Sequence, residues 1–219
     1  MNTMNYQTLL PTFSQSFNYG WANMKRDFLR LLLVVLVCGV SLIPLGLIND
    51  MEQSGSPGAI ILSIIGVAYF FMLYPVIDYS ARFMFLQSVR LERIDFKTFV
   101  RGFDKYLNII LANLLVASLT AIAFVALIIP GIIVACRLAF VPYLVMDKDL
   151  DPVEAVEESW RMTRGYGWTI FAMAIVSFFI FIAGAICFGV GIFPAIIWVK
   201  SSFAALYQAV LNRKENNQD

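Results

Sequence analysis

Residues Ile129–Trp168 read IPGIIVACRLAFVPYLVMDKDLDPVEAVEESWRMTRGYGW, and this stretch decides the fold. Pro130-Gly131 reads as a tight turn, followed by an apolar run over Ile132–Met146 that reads as a membrane span with Arg137 in its interior. The acidic loop Asp147–Asp151 comes next. Asp151-Pro152-Val153-Glu154 then has the form of a capping box with proline at the first helical position. The short helix that begins there places Val153, Val156, Trp160 and Thr163 on one face and Glu154, Glu157, Glu158 and Arg161 on the other; Gly165 stops it. A span, an acidic turn and an amphipathic helix lying on the membrane are the parts from which the rest of the chain is built.

Working outward, the same parts recur. Phe13, Phe17, Trp21, Met24 and Phe28 recur at three- and four-residue spacing, which predicts an interfacial helix leading into span 1, about Phe28–Ile48. Asn49–Gly58 is an outer loop. Span 2 begins near Ala59 and runs past Pro75 to about Val89, longer than one crossing needs, so it reads as a helix bent at the proline. Phe96, Phe99, Val100 and Phe103 predict a second interfacial helix, with Asp95 as its N-cap and Gly102 as its stop. Span 3 covers about Tyr106–Ile128, span 5 about Trp168–Phe188 and span 6 about Ala195–Leu211, with Gly189, Gly191 and Pro194 in the last outer hairpin.

Composition agrees with this reading. The 219 residues are 60% hydrophobic and 14% charged, against about 45–50% and about 25% in soluble domains. The net charge of +1 gives no field to gather nucleic acid. There is no histidine, which removes the commonest general base and metal ligand. Cys38, Cys136 and Cys187 all lie in apolar segments and form no C-x-x-C pair, so they read as small core residues, and no metal is expected. The first apolar run has no small-residue cleavage site after it and reads as a span, not as a signal peptide.

Lys25, Arg26, Arg30, Arg90, Arg93, Lys97, Arg101, Lys105, Lys148, Arg161, Arg164, Arg213 and Lys214 all fall on one side of a six-span layout. The positive-inside rule then puts both termini in the cytoplasm. The spans also look repeated. Arg82 follows Pro75 by seven residues, Arg137 follows Pro130 by seven and Lys200 follows Pro194 by six; Tyr19-Gly20-Trp21 and Tyr166-Gly167-Trp168 open spans 1 and 5. The expected fold is therefore all-α: a six-span transmembrane bundle in one domain over residues 1–219. It is made of three pseudo-repeats (about 11–90, 94–148 and 151–213), each an interfacial helix plus two spans. Two spans per unit give all three the same orientation, unlike the inverted repeats of many secondary transporters.

Asp78, Arg82, Arg137 and Lys200 are the ionisable residues within the spans. Each costs about 2.5–3.5 kcal/mol on insertion scales, so each must face protein or water and not lipid. Asp78 and Arg82 are four apart on one helix face and can pair. Arg137 and Lys200 have no acidic partner visible in the sequence. Backbone carbonyls freed near Pro75, Pro130 or Gly131 would satisfy them; alternatively, spans 2, 4 and 6 form a cationic pocket for a lipid phosphate or a carboxylate. Ala183, Cys187 and Gly191, four apart, suit close helix packing. Glycine-rich phosphate loops, G-x-S-x-G and nucleophile–base pairs are missing, so no enzyme activity and no cofactor are expected.

The run Ile129-Pro130-Gly131-Ile132-Ile133, with Phe140, Tyr143, Asp147, Pro152, Glu154-Ala155, Ser159, Thr163, Gly165 and Trp168, resembles a group of bacterial integral-membrane proteins of unknown function. It includes YciC-like proteins and the membrane domain attached to some glycerophosphodiester phosphodiesterases. The likeness covers roughly residues 82–211. It implies about six spans, cytoplasmic interfacial helices and a place in the bacterial inner membrane; the phosphodiesterase activity belongs to a separate soluble domain that is not carried over. The expected function is a non-enzymatic protein that binds or organises anionic membrane lipid or supports a membrane-protein partner, including a second copy of itself. The alternative is a small transporter or exporter with a cationic site among spans 2, 4 and 6.

Overall fold

The computed structural model describes residues 6–52, 57–186 and 191–216, with the side chains of 44–60 and 62–63 left out of the description. Cys187, Gly189 and part of the outer loop expected over Asn49–Gly58 lie outside the described residues. After a 3₁₀ turn at Tyr6–Thr8 come ten helices: α1 (Phe13–Glu52), α2 (Pro57–Met72), α3 (Tyr74–Val89), α4 (Lys97–Asp104), α5 (Tyr106–Ala126), α6 (Ile128–Arg137), α7 (Val141–Asp147), α8 (Pro152–Met162), α9 (Gly167–Ile186) and α10 (Ile192–Glu215). No strand occurs among the described residues.

Among the described residues, five stretches are long and apolar enough to cross a bilayer: Ile64–Val89, Tyr106–Ala126, Ile128–Asp147, Gly167–Ile186 and Ile192–Glu215. Burial and hydropathy are opposed at the extremes. The two most apolar, α5 and α9, are 22% and 17% buried over their most apolar windows, whereas α10, the least apolar, is 72% buried. In water this arrangement would put Leu107, Val125, Phe178 and Phe179, all more than half exposed, in contact with solvent. In lipid, which is as apolar as a leucine side chain, there is no drive to hide them, and the polar residues go inside instead. The chain is a multi-pass membrane protein.

The bend expected at Pro75 is present: α2 ends at Met72 and α3 restarts at Tyr74 with the proline in its first turn. Span 4 is not one helix, as expected, but two. Pro142 has no N–H, and its ring would collide with the Leu138 carbonyl in a continuous helix. The chain accordingly leaves α6 after Arg137, and the Val141 N–H turns to the Leu138 carbonyl at 3.2 Å. The turn before span 4 also differs. It falls at Leu127, which is extended (φ −166°, ψ 152°), and Pro130 is the third residue of α6, where a missing N–H costs little. Gly131 lets the Phe124 ring of α5 lie against α6, because a Cβ there would meet the ring at 2.4 Å. Likewise, the stripe expected at Ala183, Cys187 and Gly191 is displaced. Ala183 is exposed, and Gly184 makes the close approach, 2.7 Å from its would-be Cβ to the Gly191 carbonyl oxygen.

The amphipathic segments pack with their small and polar side inward. In the first turns of α1, Ser16, Tyr19 and Asn23 are buried together with Phe17 and Met24 of the apolar stripe, while Phe13, Trp21 and Phe28 are exposed. In α4, Thr98 is buried and Gly102 abuts Ser80 and Val76 of α3, while Phe96, Val100 and Phe103 are exposed. Gly102 therefore serves packing and does not stop the helix, which runs on to Asp104. In α8, Ala155, Ser159 and Thr163 are buried, whereas Val153 and Trp160 are exposed. Part of each apolar face is left exposed, as at an interfacial helix, and in α8 the charged Glu154, Glu157 and Arg161 are exposed as well. The Asp151 side chain makes no capping bond, so the capping box is not closed, and Gly165, at φ +86°, ends the segment in the left-handed region.

One end of the bundle is tied by charge. Arg90 at the end of α3 meets Asp147 at the end of α7 (Nη2 to Oδ2, 2.8 Å), and the Tyr207 hydroxyl of α10 donates to the same oxygen at 2.9 Å. Burial works against the Arg90 charge, but the hydrogen-bonded Asp147 carboxylate outweighs it and raises the Arg90 pKa. Lys105 pairs with Asp149 at 2.7 Å, and Glu158 of α8 pairs with both Arg161 and Lys214. Arg26 donates to the Ser88 carbonyl beside Asp27, where α1 kinks. The Tyr19 hydroxyl donates to the Val89 carbonyl at 2.7 Å, and burial pushes its pKa up.

Candidate functional site

Three of the four charges expected within the spans come together. Arg82 Nε donates to Asp78 Oδ2 at 2.7 Å, as the four-residue spacing on α3 predicts. Lys200 Nζ of α10 donates to the other carboxylate oxygen, Oδ1, at 2.8 Å. Lys200 therefore has an acidic partner, contrary to the sequence expectation. That partner is 122 residues away in the chain and reachable only because α3 and α10 are neighbours. One carboxylate bridges two cations, which leaves the triad with a net charge of +1. The Asp78 side chain is 14% exposed, while those of Arg82 and Lys200 are 37% and 27% exposed, so the excess charge is on the accessible side.

Arg137 does not join them. It is the last residue of α6, at the break enforced by Pro142, and not within an unbroken span. Its carbonyl, deprived of the Val141 N–H, is taken by α8: the Ser159 hydroxyl donates to it at 2.7 Å and accepts from the Phe140 N–H at 3.3 Å. Thr163, one turn on, places its hydroxyl 3.3 Å from the same carbonyl. The paired hydroxyls thus stitch α8 to the break. Among the described residues Arg137 makes no hydrogen bond or ion pair to the triad; spans 2 and 6 supply the triad, and Arg137 lines a groove of its own.

The Arg137 guanidinium lies over the Trp160 ring, 5.8 Å from its centroid. Its Nη1 is buried and has no hydrogen-bond partner. The side chain lines a groove of about 470 Å³ between α6 and the start of α9, whose walls include Ile129, Ile132, Ile133, Trp168 and Phe171. Trp160 and the break at Pro142 were the pieces sequence reasoning missed. The signal for the second was present, since a proline five residues after an intramembrane arginine frees backbone groups beside it.

Among the described residues no three Cys, Asp or Glu side chains gather as a metal ion would need. Compared with protein-family models, with curated proteins and with solved structures, the chain gives no match.

Proposed function

We propose that this is a non-enzymatic, six-span protein of a bacterial cytoplasmic membrane that binds and organises anionic lipid. In this reading α1 carries the sixth span, both termini are cytoplasmic, and three units of interfacial helix plus two spans make up the chain. Pro130 and Pro194, each the third residue of its helix, fit that repeat; Pro75, inside a span, fits it less well. The likeness to the YciC-like group belongs to the same proposal.

The carrying observation is the charge balance within the spans. Three cations, Arg82, Arg137 and Lys200, are set against one carboxylate, Asp78, which binds Arg82 and Lys200; Arg137 has no acidic partner among the described residues. Unmatched cations in an apolar setting are stabilised by an anion that is itself soluble in the membrane. The test is to purify the protein gently and determine its retained lipids by mass spectrometry. Anionic phospholipid enriched over its share of the membrane is expected; a bulk-like lipid composition overturns the reading.

A small transporter or exporter is the second reading. It rests on Arg82, whose side chain is 37% exposed within a span. Uptake of small carboxylates or phosphates by liposomes carrying the protein, and not by empty ones, would favour it.

A further inference from the structure

We propose that the groove between α6 and the start of α9 is a binding site for one anionic phospholipid. Its acyl chain lies along Ile129, Ile132, Ile133 and Phe171, and its phosphate sits on Arg137. The inference rests on the lipid reading above and gives it a place. The groove, about 470 Å³, falls within the range of small-ligand sites, about 300–1,000 Å³.

Five observations point to the occupant. The walls are isoleucine and aromatic, which suits a hydrocarbon chain and gives a free phosphate ion nothing to touch. At one place the wall is a guanidinium with a buried Nη1 that lacks any hydrogen-bond partner. Such a donor carries the full cost of desolvation until an acceptor reaches it, and a phosphate oxygen is the acceptor that arginine's planar fork matches best. Among the described residues no carboxylate lines the groove, so a headgroup amine would find no counter-charge there; a net-negative headgroup is preferred over a zwitterionic one. The surroundings agree as well: Trp160 lies under Arg137, and Trp168, 83% exposed, flanks it. The first residue of α9, Gly167, has open space where a Cβ would stand, leaving the approach to that helix start unobstructed.

The test compares wild type, Arg137→Gln and Ile132→Trp. Each is purified, relipidated with phosphatidylglycerol or phosphatidylcholine, and examined by native mass spectrometry. Arg137→Gln removes the charge, and Ile132→Trp fills the groove while leaving the arginine in place. Wild type should hold one phosphatidylglycerol in preference to phosphatidylcholine, and both variants should hold it about ten-fold more weakly, as expected for one charge-assisted contact. Melting temperatures measured without added lipid separate this loss from misfolding, and Arg137→Lys should restore part of the binding. Either variant retaining phosphatidylglycerol as wild type does, while wild type shows the preference, overturns the site and leaves the general lipid reading standing. A wild type with no preference overturns both.

Discussion

Asp78 and Lys200 meet at 2.8 Å across 122 residues of sequence, and the same carboxylate holds Arg82 at 2.7 Å. This one acidic side chain bolts α10, the most buried of the five long apolar stretches, to α3. Small and polar residues interspersed with apolar ones bring α10 inside. Ser201 accepts from Asn23, Ser202 donates to the Trp198 carbonyl, Tyr207 donates to Asp147 and Gln208 accepts from Arg90. Each group has a partner, so burying the least apolar span costs little.

The shared carboxylate makes Asp78 the residue whose loss matters most. Asp78→Asn leaves two cations without a counter-ion, and unfolding measurements in detergent should show a loss of about 3 kcal/mol. Lys200→Met leaves the Asp78–Arg82 pair intact and should cost less. In the double variant the two losses should fall short of their sum by about 0.5–3 kcal/mol, the mark of direct coupling. Strict additivity would show that the pair contributes nothing.

Ser159 serves two backbone groups at once, the Arg137 carbonyl and the Phe140 N–H. Ser159→Ala leaves the Phe140 N–H without its partner and the Arg137 carbonyl with the longer Thr163 contact alone, and should destabilise the protein by about 1–3 kcal/mol. Hydrogen exchange gives a local readout: the Phe140 amide should exchange faster in the variant, and amides in α9 should not. Unchanged protection at Phe140 would mean that the break is held by something else.

Gly20 and Gly167 occupy the same tripeptide, Tyr-Gly-Trp, but not the same environment. A Cβ on Gly20 would lie 2.8 Å from the Ser202 backbone nitrogen, whereas one on Gly167 would meet nothing within 4 Å. Gly20→Ala should force α1 away from α10 at a cost of about 1–3 kcal/mol. Gly167→Ala should stay within about 0.5 kcal/mol of wild type. Equal thermal shifts for the two would refute the close approach of α1 to α10.

Much of the helical plan could be read directly. Period and run length place the described spans, the four-residue spacing of Asp78 and Arg82 announces their pair, and the glycine at 165 marks a left-handed stop. Other features were written in the sequence but carried ambiguous signals. Pro142 looks like any proline near the end of a span until its effect on the Arg137 carbonyl is seen. The amphipathic helices show two faces, and sequence alone suggests that the polar one meets water. In the structure the small hydroxyl and amide side chains of Ser16, Asn23, Ser159 and Thr163 point into the protein. Against lipid the outward face is the apolar one, and small polar groups pack closely while satisfying one another.

The sequence by itself determined that the chain is helical and membrane-spanning, and which side chains must be shielded from lipid, because hydropathy and periodicity are local properties that a bilayer reads one segment at a time. Tertiary structure decided the partners. Whether Lys200 is a lone cation or half of an ion pair depends on α10 lying against α3, and whether Arg137 is a mid-span charge or the last residue of a broken helix beside an apolar groove depends on where α8 and α9 return. Those are contacts between residues far apart in the chain, set by packing and hydrogen bonding among helices, and no spacing along the sequence encodes them.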